Sequence, residues 1–251
     1  TGMLSNLLKE KVLAQGGEIR LNRQVVEVVP AESKVIDSEG CEHRYDHLVW
    51  AADLKTMYRS MNSAGLAPAV VDSVAAETQR MISAQGAEST FILYLAVNRP
   101  PSYFQQNGGV HLFYTPFKQG LGQTNQEERL TLLQDFEQKS KAEVFDWLKR
   151  YLRLNTYEIS VPALRDPSLA PEGQTGLMVS CLFDYQLIKK VQDAGWYEEF
   201  KRTAETEIIR LLSESIYKDL SKDLVFSFSS TPLSIQKLCG SSEGAITGWS
   251  F

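Results

Sequence analysis

The sequence has few cysteines, no long apolar run and no cluster of basic residues. Its three cysteines, Cys41, Cys181 and Cys239, lie far apart, which excludes a disulfide framework, and no Cys/His spacing predicts a zinc site. No stretch approaches the roughly 20 apolar residues that a membrane-spanning helix requires. A net charge of −5 without a basic patch argues against nucleic acid as a partner. The sparse cysteines favour a reducing compartment, so we expect a cytoplasmic protein.

The remaining composition is that of a globular protein. Hydrophobic residues make up 43% and charged residues 23% of the 251 residues, which argues against a disordered or collagen-like chain. The length exceeds one average domain and falls short of two. The sequence begins at Thr1 without the charged, apolar and small-residue series of a secretory signal, and it stops in an apolar stretch, 245–251. We therefore expect an excised piece of a larger protein.

Apolar periodicity predicts strands interleaved with helices. Helices are predicted near 4–13, 54–61, 68–81, 126–151 and 196–213. Strands are predicted near 18–29, 34–37, 46–52, 90–97, 109–114, 156–161, 177–183 and 225–229. This order predicts an α/β fold of the mixed α+β kind, in which helices cover a mixed sheet.

The residues alone are consistent with several chemical roles. His43 and His47 are either a metal or general-base pair, or solvated residues around a turn. Gly120, Gly122 and Asn125 form G-x-G-x-x-N, which suits either a phosphate cradle or a flexible loop before a capped helix. The sequence lacks G-x-S-x-G and a P-loop. No catalytic acid or base can be named.

An aromatic set between 103 and 117 is the strongest candidate for binding an apolar molecule. It is suited to lining a substrate channel, to touching a membrane surface or to ordinary core packing. The set consists of Tyr103, Phe104, His111, Phe113, Tyr114 and Phe117.

Four sequence motifs, in order, carry a family resemblance. The first is G-G-x-I-x-L-N-x-x-V at Gly16–Val25, and the second is an aspartate-led strand at Asp46–Ala52. The third is the D-P-S-L-A-P-E-G loop within 161–173, and the fourth combines Thr231-Pro232 with G-A-I-T-G at 244–248. The sequence resembles the branch of the flavin amine oxidase superfamily that contains phytoene desaturases, carotenoid isomerases and retinol saturases.

The resemblance implies a two-domain FAD oxidoreductase. It makes residues 1–52 a strip of the FAD-binding domain and residues 53–251 the substrate-binding domain. Val25 matches a valine whose backbone contacts the adenine, and Ala51 and Ala52 match small residues beside the cofactor; plain core packing is the alternative for all three. The family's G-x-G-x-x-G and its C-terminal flavin motif are missing here, so we expect no independent FAD binding and no activity from this segment.

The implied reaction is hydride transfer between flavin and a carbon–carbon bond of an apolar polyene or isoprenoid, as desaturation or saturation. On this reading, Tyr103, Phe104, Phe113, Tyr114 and Phe117 line the substrate channel. The partner is an apolar small molecule, and peripheral membrane contact is an added expectation. Two alternatives stay open: an amine oxidase relative, and a non-catalytic module that binds lipid or protein.

Overall fold

The computed structural model describes residues 2–84, 86, 88–121 and 126–247. The chain divides into two compact units, residues 1–84 and residues 85–251. The boundary predicted at 52/53 refers to the FAD-binding and substrate-binding domains of a flavoenzyme, and not to these two compact units. That assignment stays a prediction.

The first unit combines a small sheet with three helices among its described residues. Its elements are α1 (Gly2–Ala14), β1 (Val25–Val29), β2 (Lys34–Asp37), β3 (Glu42–Arg44), α2 (Leu54–Arg59) and α3 (Pro68–Ser83). The strands pair antiparallel in the order β1-β2-β3. Ser33 (φ 50°) and Gly40 (φ 80°) adopt the left-handed conformation that turns the chain between consecutive strands.

A few apolar residues form the interior of this unit. Val28, Val29 and Val35 are buried, whereas the apolar side chains of α1 are exposed. An isolated parallel bridge joins Val28 to Met61, so the segment after α2 lies beside β1. The unit is therefore a hairpin-based layer with little core of its own.

The second unit is a five-stranded sheet with helices packed on one face. Its elements are β4 (Ser89–Val97), α4 (Pro101–Gln106), β5 (His111–Tyr114), α5 (Gln126–Gln134), α6 (Lys141–Arg153), β6 (Tyr157–Ser160), β7 (Thr175–Phe183), α7 (Tyr185–Asp193), α8 (Tyr197–Glu214), β8 (Leu224–Ser230) and α9 (Pro232–Cys239). The strand order is β5-β6-β7-β4-β8, and each neighbouring pair is antiparallel.

The core of the second unit lies between the sheet and the helices. Because successive side chains of a strand point to opposite faces, alternate residues of β4 and β7 enter this core. Among the strand residues, Phe91 and Leu93 of β4 and Val179 of β7 have no exposed surface. Helices α6, α7 and α8 contribute buried side chains opposite them, including Leu148 and Ile208.

The α/β class is confirmed. Both sheets are antiparallel within the described residues, apart from the single parallel bridge, whereas the expected mixed sheet allowed parallel pairs. In the first unit, short connections between sequential strands favour this antiparallel pairing, because parallel pairs need long crossovers. The predicted helices at 4–13, 54–61, 68–81 and 196–213 are also confirmed, as are the strands of the second unit.

The single helix predicted over 126–151 is wrong. The segment forms α5, a short 3-10 turn (Phe136–Gln138) and α6. Ser140 has extended backbone (ψ 154°) and caps α6 through a reciprocal hydrogen-bond pair with Glu143. The buried Phe136 anchors the turn between the two helices. The apolar stripe continued across this break, so periodicity alone did not reveal it.

In the first unit the strand predicted at 34–37 is confirmed and β3 was missed, whereas the strand predicted at 18–29 is too long. Asn22 has φ 58°, which interrupts extended backbone, and β1 begins only at Val25. Residues 46–52 form no strand, and Val49 is 86% exposed. A strand needs a paired neighbour, and within the described residues no strand pairs with this segment. Apolar composition alone was therefore not enough to form a strand at 46–52.

Sequence reasoning missed helices α4, α7 and α9. Signals for two of them are present: Asp184 caps α7 by accepting from the Leu187 N–H, and Thr231 caps α9 with Pro232 at its first position. The Gly120–Asn125 motif lies largely outside the described residues, as do Gly248 and Trp249 of the last family motif.

Candidate functional site

The second unit presents one face of its sheet without a covering helix among the described residues. This face, called the open face below, carries alternate side chains of all five strands. Its large apolar members are strongly exposed: Phe113 is 70%, Phe226 56% and Phe228 52% exposed. An exposed aromatic surface of this kind marks a site of interaction with a ligand or a partner.

The residue pattern of strand β8 places aromatic side chains on the open face. Phe226 and Phe228 point outward, while Ser227 and Ser229 share the face of the buried Leu95 and Leu93. The Ser229 hydroxyl donates to Glu205 Oε1 at 2.6 Å. This pattern is the reverse of an ordinary half-exposed strand, in which polar residues face outward. The alternation F-S-F-S was readable in the sequence and was missed.

Strand register places five open-face residues in one row across the sheet. The row, called the cross-strand row below, consists of His111, Ser160, Met178, Tyr94 and Phe228. Tyr94 and Phe228 stack with ring centroids 4.6 Å apart and an interplanar angle of 11°. Phe226 extends this stack, with its centroid 6.4 Å from that of Phe228. The β4–β8 end of the row is thus an aromatic platform.

The opposite end of the row is polar. His111 Nε2 lies 2.7 Å from Glu158 Oε1, on the neighbouring strand. The His111 ring also meets Phe113 edge to face, with centroids 5.4 Å apart. Both members of the pair are substantially exposed on the open face.

The structure separates the aromatic set that the sequence proposed as a substrate channel. Phe104 is fully buried. The other three, Tyr103, Tyr114 and Phe117, are partly buried and pack against the core. Only Phe113, together with His111, lies on the open face. Strand alternation is the reason, since Phe113 and Tyr114 of β5 point to opposite sides of the sheet. The role of this set in substrate binding stays a prediction.

Two of the buried or half-buried rings have cationic partners. The Arg99 guanidinium lies 4.3 Å from the Tyr103 ring centroid, and Arg153 lies 4.3 Å from that of Phe117. Burial raises the pKa of Tyr217, which packs against Phe104, to about 12. The Arg99–Tyr103 and Phe104–Tyr217 contacts stabilise the core around α4.

The residues proposed to approach a flavin lie in the first unit. Val25 begins β1 and is half-buried, and Ala51 and Ala52 are exposed and outside regular structure. The contact of Val25 with an adenine ring stays a prediction. Within the described residues, however, no strand leads through a glycine-rich turn into a helix N-terminus that would hold a pyrophosphate. The described residues therefore do not fit FAD by themselves.

His43 belongs to a hydrogen-bonded chain rather than to a metal site. Its Nε2 lies 3.0 Å from Asp37 Oδ2, and its Nδ1 lies 3.0 Å from Arg20 Nη1. The hydrogen bond from His43, followed by backbone bonds from Cys41 and Glu39, lowers the pKa of Asp37 to about 2. His47 is exposed and takes no part in this chain. Among the described residues, no three His, Cys, Asp or Glu side chains group as metal ligands do.

One of the three cysteines is buried and the other two are exposed. Cys181 is buried in the core, and burial raises its pKa to about 12. Cys41 and Cys239 are exposed. A buried thiol of this kind behaves as a small apolar side chain.

A cleft of about 480 Å³ lies between α5 and α6, on the helical side of the second unit. Its lining is dominated by charged side chains: Glu127, Glu128, Lys139, Glu143, Asp146 and Arg150. Several of these charges already pair with one another or with backbone, as Glu128 does with Arg150 at 3.6 Å. An open, charged cleft does not suit an apolar substrate.

Comparison with solved structures shows what this fold is similar to. A reduced UDP-galactopyranose mutase superposes with a TM-score of 0.53 over 88% of this chain, at 16% identity. A Pyrococcus furiosus protein gives 0.46 over 89% at 16% identity, and an oxidoreductase from Methanosarcina mazei gives 0.48 over 88% at 11% identity. The fold of this chain is thus shared with the mutase.

The chain spans only 36–40% of the length of these solved proteins. No protein-family model and no curated protein matches the sequence. In the described residues, no helix combines the length and the apolar character needed to cross a membrane.

Proposed function

We propose that this chain supplies the substrate-binding part of an FAD-dependent oxidoreductase. In that enzyme, hydride passes between flavin and a carbon–carbon bond of an apolar polyene or isoprenoid. The observation that carries the proposal is the open face, an aromatic sheet surface with a single histidine–carboxylate pair, His111–Glu158, among the strand residues that form it. Such a surface binds an elongated apolar molecule through contact area and excludes water from it.

Two further observations support the proposal. The four sequence motifs resemble a flavoenzyme family, and the fold is shared with a mutase that was crystallised in a reduced form. The likeness is at the level of fold, so the desaturase or saturase reaction rests on the motifs alone. Because the described residues do not fit FAD by themselves, the flavin belongs to the rest of the whole protein.

The chemistry of this chain is therefore that of binding and orientation. The Tyr94–Phe228 stack and Met178 supply flat and flexible apolar contacts to a polyene. We propose a cytoplasmic enzyme. Its apolar substrate is bound at a membrane surface or is delivered from one. Nucleic acid is not a proposed partner.

The test uses the protein in its full natural length. We expect it to purify with a flavin absorbance spectrum, and we expect an apolar polyene to change the flavin redox state under anaerobic conditions. Phe228→Ser should raise KM for the polyene by about tenfold, since it removes much of one aromatic contact, and should leave flavin content unchanged. Leu238→Ser is the matched control, because Leu238 is 79% exposed and belongs to α9 rather than to a strand of the sheet. A full-length protein that neither retains nor binds flavin would refute the proposal.

A non-catalytic module that binds lipid is the second candidate, and the same open face favours it. This candidate predicts polyene or lipid binding without flavin, and it predicts the same loss with Phe228→Ser. Flavin content thus separates the two functions, while the variant tests the surface that they share.

A further inference from the structure

Strand β8 is one edge of the five-stranded sheet. Among the described residues it pairs with β4 alone, and no other backbone group of that part of the chain bonds to its outer side. An edge strand presents a row of unpaired N–H and C=O groups, with which another extended chain can pair. The outer side of β8 therefore needs either features that prevent pairing or a partner.

Strand β8 has few of the features that prevent pairing. Leu224–Ser230 is seven residues long and contains no charged residue and no proline. Its one register shift lies at Val225, outside the three central residues, 226–228. The other edge strand, β5, is only four residues long and carries His111. Because natural proteins limit edge pairing with short strands, charges, prolines and bulges, β8 is the edge more open to a partner.

The residue pattern of β8 is symmetric about Ser227. Phe226 and Phe228 flank this serine, and both point to the open face. When two copies of the strand pair antiparallel about a two-fold axis at Ser227, Phe226 of each copy lies directly opposite Phe228 of the other. Two aromatic pairs form in this register, whereas an axis at either phenylalanine forms only one. The strand is thus self-complementary, which favours a second copy over an unrelated chain.

We infer that β8 pairs antiparallel with β8 of a second copy of this chain, about a two-fold axis at Ser227. The two five-stranded sheets then form one continuous sheet. The Tyr94–Phe228 stack continues onto Phe226 of the partner subunit, so the partner contributes a ring to the aromatic platform. Pairing at the edge leaves the open face uncovered, and the interface does not depend on the proposed reaction.

The interface is small, and the dimer is therefore weak. Stable protein–protein interfaces bury about 1,200–2,000 Å², which is more than a short pair of edge strands provides. Each cross-strand aromatic pair adds a modest stabilisation. We expect a dissociation constant of about 1–100 µM.

The first experiment is sedimentation equilibrium between about 1 and 300 µM, a range chosen to bracket that constant. It uses the complete 251-residue chain and the protein in its full natural length. Both should associate to dimers, this chain from 28.2 kDa to twice that mass. Ser227→Lys should weaken the dimer by about tenfold or more, because two ammonium groups then oppose each other at the axis. Ser227→Thr is the matched control and should retain the dimer, since threonine suits a strand.

Phe113→Lys separates edge pairing from the stacking of two open faces. Phe113 is 70% exposed and lies on β5, at the opposite edge of the same face. Pairing through β8 leaves this side chain untouched, so the variant should associate as the unaltered chain does. If Phe113→Lys abolished the dimer and Ser227→Lys did not, the proposal would be wrong and the open faces would stack on each other.

A cysteine at the axis tests the register and does not depend on the lysine variant. Ser227→Cys, combined with Cys41→Ser and Cys239→Ser to remove the two exposed native thiols, places one thiol of each copy opposite the other. Oxidation with diamide should give a disulfide-linked dimer, because opposed residues of antiparallel strands lie within the Cα separation that a disulfide spans. Ser102→Cys, an exposed position on α4, is the control in the same background and should cross-link far less.

Circular dichroism melting confirms that each variant is folded before it is compared. Monomers throughout the concentration range, together with equal cross-linking of the two cysteine variants, would overturn the inference. A monomer of full natural length beside a dimer of this chain would also overturn it, since a further segment would then pair with β8. Neither result alters flavin content or the KM effect of Phe228→Ser, so the proposed function is tested separately.

Discussion

His43 donates a hydrogen bond from Nε2 to Asp37 Oδ2 across 3.0 Å, and this contact orders a buried carboxylate at the end of β2. Asp37 is only 2% exposed. Its other oxygen accepts from the N–H groups of Glu39 and Cys41, at 2.9 Å and 3.0 Å. Because Arg20 can only donate, His43 Nδ1 must accept its hydrogen bond. The contacts with Arg20 and Asp37 together therefore place the ring hydrogen on Nε2.

Asp37→Asn should destabilise the first unit near neutral pH. The amide cannot accept on both sides, so its NH2 group faces either His43 Nε2–H or the two backbone donors. Thermal unfolding should show a lower Tm than for Asp72→Asn, an exposed change on α3. Equal Tm values for the two variants would contradict the hydrogen-bond arrangement.

The pH dependence of stability should report the same carboxylate. The pKa of Asp37 lies at about 2 in the folded chain, below its ordinary value of 3.8. Its stabilisation is therefore complete above about pH 4 and is lost as the pH falls towards 2. Denaturant titrations across this range should show a weaker pH dependence in Asp37→Asn than in the unaltered chain.

Leu148→Ala should destabilise the second unit by about 2–5 kcal/mol, because it removes a large buried side chain and leaves a cavity. Leu148 has no exposed surface, and it packs on α6 within the core. Leu238→Ala, at a side chain that is 79% exposed, should change the free energy of unfolding by no more than about 0.5 kcal/mol. Similar losses from both would show that α6 does not pack as described.

Ser140→Ala should cost about 1 kcal/mol, because α6 loses its N-terminal cap. The side chain accepts from the Glu143 N–H, and Glu143 returns a bond to the Ser140 N–H at 2.9 Å. Ser140→Asp supplies another capping side chain and should recover most of the loss. The measurement is chemical denaturation; a neutral Ser140→Ala would favour one continuous helix over 126–151.

A comparison of Gly244→Ala with Gly240→Ala separates the free-energy cost of backbone strain from that of steric overlap. Both residues have positive φ, 61° and 70°, which costs an alanine about 1–2 kcal/mol. A Cβ at Gly240 meets open space, whereas one at Gly244 overlaps the Pro232 carbonyl oxygen. Gly244→Ala should therefore be the more damaging by about 1–3 kcal/mol in equilibrium unfolding. Equal losses would mean that the loop moves freely away from α9.

Some positions were predictable because their signals are local. The alternating apolar residues of Thr90–Val97, the cap at Thr231-Pro232 and the D-P-S-L-A-P-E-G loop can be read without knowledge of distant contacts. The break at Ser140 was missed although its capping box is present, because a continuous apolar stripe outweighed it. The strand expected at 46–52 failed because extended structure requires a partner strand elsewhere in the chain.

By itself, the sequence determined the α/β class, the strands of the second unit, the helices α1, α2, α3 and α8, and the motifs that resemble a flavoenzyme family. Those features depend on side-chain periodicity and on short-range turns and caps. Only the tertiary structure decided which aromatic residues share a surface. Strand register aligns His111 with Phe228 across five strands, and strand alternation directs Phe113 outward and Tyr114 inward. Pairing between residues more than a hundred positions apart depends on the folded sheet, so no local pattern could have revealed the cross-strand row.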